Sequence, residues 1–329
     1  MATMREVAAR AGVSPKTVSR VFNDDPHVLP ETRQHVEQVM RELNYVPNGL
    51  ATTFRSGRSS AIGVAVPDIV DPFFAEIARA VDEYARRRNS ATMVTSVGDD
   101  MAREREVLES LLSRQLSGLI VAPIGTDYSW LKRWKGHTPI VFVDRAPPVG
   151  HPIDTFRDDD ETGARLATEH LIGHGHRRIA YVGDMIHLST EVNRLAGYRR
   201  ALEDANLEFD ERLVKTYMSN PAKVRAALEE FRELDDPPTA VFSANARDSM
   251  LLVHAFGGKP LALVGFGDFP MADALMPAVT VVDQDPARMG RLAAERVFAR
   301  HERPEGRFKR VNVYDVQLVE RQSCHVRAR

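Results

Sequence analysis

Cysteine is nearly absent from this chain. The single one, Cys324, stands close to the end of 329 residues. One thiol cannot build an intrachain disulfide framework, which fits a reducing compartment. No run of about 18 apolar residues occurs, so no membrane-spanning helix is expected. The opening MATMREVAAR has no apolar core of the kind a secretory signal needs. The expectation is a cytoplasmic protein that does not engage a membrane. Catalytic signatures are missing as well. The spacing suggests neither a Ser/His/Asp set nor paired carboxylates, and G-F-G-D at 265–268 lacks the third glycine of a dinucleotide fingerprint. No enzymatic activity and no cofactor are expected.

A length of 329 residues suggests two or three domains, and 43% hydrophobic residues can bury a sizeable core. The net charge of −2 conceals an asymmetry. The first sixty residues carry eight bases (Arg5, Arg10, Lys16, Arg20, Arg33, Arg41, Arg55, Arg58) against six acids (Glu6, Asp24, Asp25, Glu31, Glu37, Glu42). A mildly basic head on an acidic body suits a protein that meets phosphates at one end.

Thr3 and Glu6 have capping-box spacing, and Met4, Val7, Ala8 and Ala11 share one helical face. Gly12 permits a tight turn. Ser14 can cap a second helix that has Pro15 in its first turn. Val18, Val21 and Phe22 are predicted to form the buried face of that helix, with Lys16, Ser19 and Arg20 opposite. A third helix is predicted from about Pro30 to Asn44, with Val36, Val39, Met40 and Leu43 inward. Two short helices joined by a four-residue turn make a helix-turn-helix. The segment N-Y-V-P-N-G-L-A-T-T-F-R-S-G-R-S-S that follows is short and basic. A helix from about Asn48 to Ser56 would be too short to stand alone.

The series A-A-R-A-G-V-S-P-K-T-V-S-R-V-F-N followed by L-N-Y-V-P-N resembles the signature of the lactose-repressor (LacI/GalR) family of transcription regulators. The resemblance implies that the second helix enters the major groove. Pro15, Lys16 and Arg20 become the base readers, with Thr17 and Ser19 beside them. It also implies a hinge helix carrying Asn48 and Ala51, which orders on DNA and pairs with its twin. There Phe54 takes the place of a leucine wedged into the minor groove, a role phenylalanine also fills in minor-groove binders. Leu29 stands where a capping Ser or Thr is usual, so the start of the third helix is expected to fray.

From Ala61 onward, apolar runs alternate with amphipathic spacers: AIGVAV, TMVTSV, GLIVA, PIVFV, then RIAYVG, LVKTYM, TAVFS, LALVG, VTVVD. Such runs read as parallel strands with crossover helices, in two series divided near Asp159. The expected fold is α plus α/β. It comprises a helix-turn-helix headpiece (1–47), a hinge helix and linker (48–60), and a two-lobed doubly wound domain (61–329) similar to periplasmic sugar-binding proteins. The N-lobe covers about 61–159 and 284–313, and the C-lobe about 160–283 and 314–329.

His170, His174 and His176 have the look of metal ligands. No matching acid or cysteine cluster accompanies them in the sequence, so no metal is expected. Cys324 is expected to be inert. The run Asp158, Asp159, Asp160, Glu161 reads as a solvated helix start. A cleft between the lobes is the expected effector site. Asp71 precedes Phe73 and Phe74, whose faces can stack on a ring, with one of the two assigned to the core. The resemblance places Arg194, Asn245, Gly267 and Gln284 at effector positions. Ala246 and Gly267 stand where the family usually has acids. This predicts a positive cleft and an effector that is anionic or poor in hydroxyls. The functional expectation is a dimeric, effector-controlled transcription regulator, a repressor rather than an activator. Its partners are a pseudo-palindromic double-stranded operator and a sugar or sugar derivative. The homodimer admits higher assembly. A solute-binding protein of a transport system is the alternative, and an enzyme on a doubly wound fold the third choice.

Overall fold

A computed structural model describes residues 2–22, 25–43, 45, 61–134, 136–146, 151–216, 220–256 and 261–325. The chain divides into two compact units, Met1–Ser59 and Ser60–Arg329.

The first unit contains α1 (Met4–Arg10), α2 (Pro15–Phe22) and α3 (Pro30–Glu42). The capping box of α1 is formed: Glu6 N donates to Thr3 Oγ1 at 3.3 Å, and Thr3 N donates to Glu6 Oε2 at 2.7 Å. Gly12 turns the chain at φ +65°, and Thr17 N donates to Ser14 Oγ at 3.1 Å to open α2. Val7, Ala8, Ala11, Val18, Val21, Val28, Val36 and Val39 form the core. Phe22 corrects the sequence reading. It is 43% exposed, because Val18 and Val21 already fill the narrow stripe that α2 presents to its two neighbours, and Phe22 falls at the rim. Leu29 at the start of α3 makes no side-chain cap. Instead Arg33 anchors that end, donating from Nη2 to Asp25 O at 2.7 Å.

The second unit holds two six-stranded sheets. The first has the order β11-β5-β4-β3-β1-β2 and the second β12-β10-β9-β8-β6-β7. In the first sheet the strands are β1 (Ala61–Val66), β2 (Ala91–Ser96), β3 (Gly118–Val121), β4 (Ile140–Val143), β5 (Asp154–Asp158) and β11 (Val311–Tyr314). All are parallel. The second sheet is built from β6 (Ile179–Val182), β7 (Val214–Lys215), β8 (Ala240–Ser243), β9 (Ala262–Phe266), β10 (Thr280–Asp283) and β12 (Gln317–Val319). Here only β12 runs antiparallel, against β10.

Helices cover both faces, as parallel sheets require. α4 (Pro72–Arg86), α5 (Met101–Leu112) and α10 (Pro286–Glu302) serve the first sheet. α6 (Asp160–Gly173), α7 (Ser189–Asp204), α8 (Pro221–Arg232) and α9 (Ala246–Ala255) serve the second. The chain passes between the sheets three times, after β5, after β10 and after β11. β5, β11 and β12 were not read from the sequence. Their sequences DTFRD, VNVY and QLV have no apolar run, because β11 and β12 are edge strands and β5 leads into a crossing.

Candidate functional site

On α2, Pro15 and Lys16 are exposed and Thr17, Ser19 and Arg20 half-buried. The helix therefore presents one polar face beside its apolar stripe. Arg20 is not a loose surface charge. Its Nε donates to Asp25 Oδ2 at 2.8 Å, with side chains 42% and 29% exposed. The guanidinium, together with bonds from His27, holds the Asp25 carboxyl below the usual carboxylate range. Asp25 thus fixes the direction in which the Arg20 fork points, a role that sequence reading missed because the two residues lie in different elements. Asn48, Ala51 and Phe54 lie outside the described residues.

In the second unit, residues at the carboxyl ends of the strands converge on one cleft, as the doubly wound fold dictates. Asp68 and Asp71 follow β1, Asp99 follows β2, and Asp144 and Arg145 follow β4. From the other sheet come Asp184 after β6, Asn245, Ala246 and Arg247 after β8, and Gln284 after β10. Glu191 and Arg194 enter from α7, and Phe73 and Phe74 from α4. The lining leaves about 620 Å³ free of protein atoms, part of it open to solvent.

Of the sequence-predicted residues, Asp71, Phe73, Phe74, Arg194, Asn245 and Gln284 all line this cleft. Asp71 caps α4, accepting from Phe73 N at 3.0 Å, and burial pushes its carboxyl up. Both phenylalanines are buried, at 9% and 5% exposure, and meet edge to face at 5.2 Å. The assignment of only one to the core is corrected, since each supports α4 from beneath while bordering the cleft. Asn245 is occupied by its own helix. Its Oδ1 accepts from Asp248 N at 2.8 Å and its Nδ2 donates to Asp248 Oδ2 at 2.8 Å.

Arg194 is the centre of a buried network. It is 6% exposed. It donates from Nε to Asp160 Oδ1 at 2.8 Å and from Nη1 to Ala244 O at 2.6 Å. It lies over the Phe266 ring at 3.9 Å, and Asp144 Oδ1 stands 4.0 Å from its Nη2. The expectation of an arginine short of acidic companions is therefore overturned. The acids come from elements remote in sequence. The acidic run is corrected too. Asp158 and Asp160 are each 2% exposed, because the chain there crosses between lobes and protein covers both sides. Asp159 does act as a helix cap, accepting from Thr162 N at 3.2 Å. Gln284 Nε2 donates to Asp158 Oδ2 at 2.9 Å, joining two of the three crossings. Burial, reinforced by neighbouring carboxylates, pushes Asp158 up to about 8 and Asp160 up to about 7.

Gly267 adopts φ +86°, and a Cβ there would stand 2.9 Å from Gln284 Oε1 and 3.4 Å from Ala246 Cβ. A side chain here would be strained by the backbone, so the missing acid at this position has a conformational reading beside the ligand one. Sequence reading missed Asp144, Arg145, Asp184, Glu191 and Arg247. Glu191 is 3% exposed and accepts from Tyr181 Oη at 2.6 Å and Asp184 N at 3.1 Å. Arg247 Nη2 donates to Asp184 Oδ2 at 2.7 Å. Their common signal is position, within a few residues of a strand's carboxyl end or on the helix after it. The lining holds six carboxylates (Asp68, Asp71, Asp99, Asp144, Asp184, Glu191) against three guanidinium groups (Arg145, Arg194, Arg247).

A helix-turn-helix and a two-sheet cleft domain together define an effector-controlled DNA-binding regulator. The chain belongs to the lacI family of bacterial regulatory proteins, whose profile it matches over residues 3–48, and a periplasmic binding protein-like domain is matched over 168–324. It is 31% identical over 287 residues to the ribose operon repressor of Halalkalibacterium halodurans, covering 86% of each chain. It is 29% identical over 331 residues to the HTH-type transcriptional repressor PurR of Mannheimia succiniciproducens, covering 98% of each. Among solved structures, the lac repressor dimer bound to operator and the anti-inducer ONPF is similar at a TM-score of 0.81 and 26% identity over 99% of each chain. The transcriptional regulator CelR in complex with cellobiose is similar at a TM-score of 0.68 and 28% identity, over 98% of this chain and 100% of that one. The chain is thus a transcription regulator and not an enzyme. Among the described residues no helix is long and apolar enough to cross a membrane.

Proposed function

We propose that this regulator is a cytoplasmic, homodimeric repressor whose effector is a neutral, polyhydroxylated carbohydrate held between the two lobes. The observation that carries the effector class is the acidic lining of the cleft, six acidic side chains against three guanidinium groups. Acidic side chains exchange hydrogen bonds with hydroxyls and repel phosphate, while Arg145 and Arg247 supply donors. Phe73 and Phe74 border the same space and offer apolar support to a sugar ring. Relatives named for a ribose operon and solved with cellobiose agree with this class. It replaces the anionic effector that the sequence suggested.

Pro15, Lys16, Thr17, Ser19 and Arg20 read the operator, with Asn48, Ala51 and Phe54 in the hinge. A two-fold dimer requires a pseudo-palindromic site. The effector shifts the lobes toward the arrangement it binds better, so effector and operator affinities are coupled reciprocally. A thermal-shift and calorimetric series of neutral sugars against their phosphorylated counterparts tests the class. A neutral sugar in excess raises the melting temperature according to RT ln(1+[L]/Kd) and changes operator binding in a mobility-shift assay. Stabilisation by the phosphorylated sugars alone would overturn the assignment.

A further inference from the structure

His170 and His174 lie outside the cleft lining, at the C-terminal end of α6. His170 is in the last turn and His174 is the C-cap. Their i, i+4 spacing puts both imidazoles on one side of the helix. The fold adds what the sequence lacked. Glu320, just beyond β12, brings a carboxylate to them, and one ligand atom from each of the three residues falls within 4.8 Å of the others. His174 Nε2 and Glu320 Oε1 are 3.8 Å apart. His325 packs its ring edge-on against His174 at 4.5 Å, and His170 does so at 4.6 Å. His170 Nε2 is enclosed and has no hydrogen-bond partner among the described residues. The third histidine of the run is committed elsewhere. His176 Nδ1 is 2.8 Å from Thr239 Oγ1 and its Nε2 is 3.2 Å from Cys324 O.

We propose that His170, His174 and Glu320 form a binding site for one divalent transition-metal ion of the zinc type. Two imidazoles and one carboxylate suit zinc, nickel or copper and are a poor set for magnesium or calcium, which take oxygen ligands. Zinc–nitrogen bonds of about 2.0–2.1 Å put tetrahedral ligand atoms about 3.3 Å apart. The present separations therefore need a contraction of the order of an ångström, which rotation of the exposed Glu320 side chain and of the two imidazoles can make. The carbonyl end of α6 favours a cation at this place. The ion would clip the C-terminal segment, which carries Glu320, to α6, although Glu320 lies 146 positions after His174. This site is independent of the effector cleft and of the sugar assignment.

The test uses the full-length chain, stripped with a chelator and dialysed, then titrated with zinc chloride alone. The expected result is one ion per chain, a rise in melting temperature on loading, and intense visible absorption when cobalt replaces zinc. His174→Ala and Glu320→Gln should each weaken binding by at least roughly 10-fold, the lower end of what loss of even a residue behind a ligand costs. His301→Ala, at the end of α10, should change neither. Should His174→Ala fail to fold, Glu320→Gln decides, because its side chain is exposed. Absence of saturable zinc binding by the wild-type chain, or unaltered affinity and stoichiometry in both His174→Ala and Glu320→Gln, overturns the site.

Discussion

The recognition helix and the effector cleft are built in opposite ways. On α2, residues 15–20 stand on one continuous helix, and the Asp25 carboxylate that steers Arg20 is five residues away. In the cleft, the lining residues run from Pro67 to Gln284 and come from two sheets. The first site meets solvent with its charges half-exposed, where an ion pair adds little to stability and mostly sets direction. The second holds Arg194, Asp144, Asp160 and Glu191 at under 9% exposure, where removing one partner leaves the others uncompensated. A surface site is tunable residue by residue, whereas a buried one responds as a unit.

Four experiments test that contrast, the largest effect first. Arg194→Ala leaves Asp160 without its guanidinium and should cost about 3–5 kcal/mol of stability, with loss of the effector response. Urea denaturation of the purified chain measures it, and a cost below about 1 kcal/mol shows that the network is not a unit. Arg20→Ala should leave the melting temperature nearly unchanged yet relax one operator position, worth about 1–3 kcal/mol of discrimination. Selection of binding sites from a random pool reads this directly, and an unaltered consensus counts against Arg20 as a base reader.

Gly267→Asp places a side chain at φ +86° and against Gln284. It should destabilise by about 1–2 kcal/mol through backbone strain, instead of restoring a family-like site. Equal stability in thermal unfolding contradicts the strain account. The fourth effect, small per pH unit, is in pH dependence. Asp158 is raised from the ordinary aspartate range to about 8. The folded state therefore holds its proton more tightly than the unfolded chain does. The stability it contributes is complete below about pH 4 and is lost as pH rises through 8, with a slope of at most about 1.4 kcal/mol per pH unit. Asp158→Asn should flatten the stability profile between pH 5 and 8. An identical slope in the variant assigns the dependence to other groups.

Sequence by itself determined the headpiece helices, the nine apolar strands and the alternation that makes two doubly wound lobes. These features are local. Capping residues, a turn glycine and apolar periodicity act over a few positions, so Thr3, Glu6, Gly12 and Ser14 announce α1 and α2 unaided. It also named six of the seventeen residues that line the cleft, Asp71, Phe73, Phe74, Arg194, Asn245 and Gln284. The tertiary structure alone decided what those residues meet. Burial converted Asp158 and Asp160 from apparent surface charges into raised carboxyls, and the fold added Asp144 and Asp160 to the Glu191 that already stands three residues before Arg194. It turned Phe22 outward, and brought Glu320 to two histidines in another element. The physical reason is common to all four. Charge, desolvation and coordination act through space between chain segments far apart in sequence, and residue spacing carries no record of which segments the fold will juxtapose.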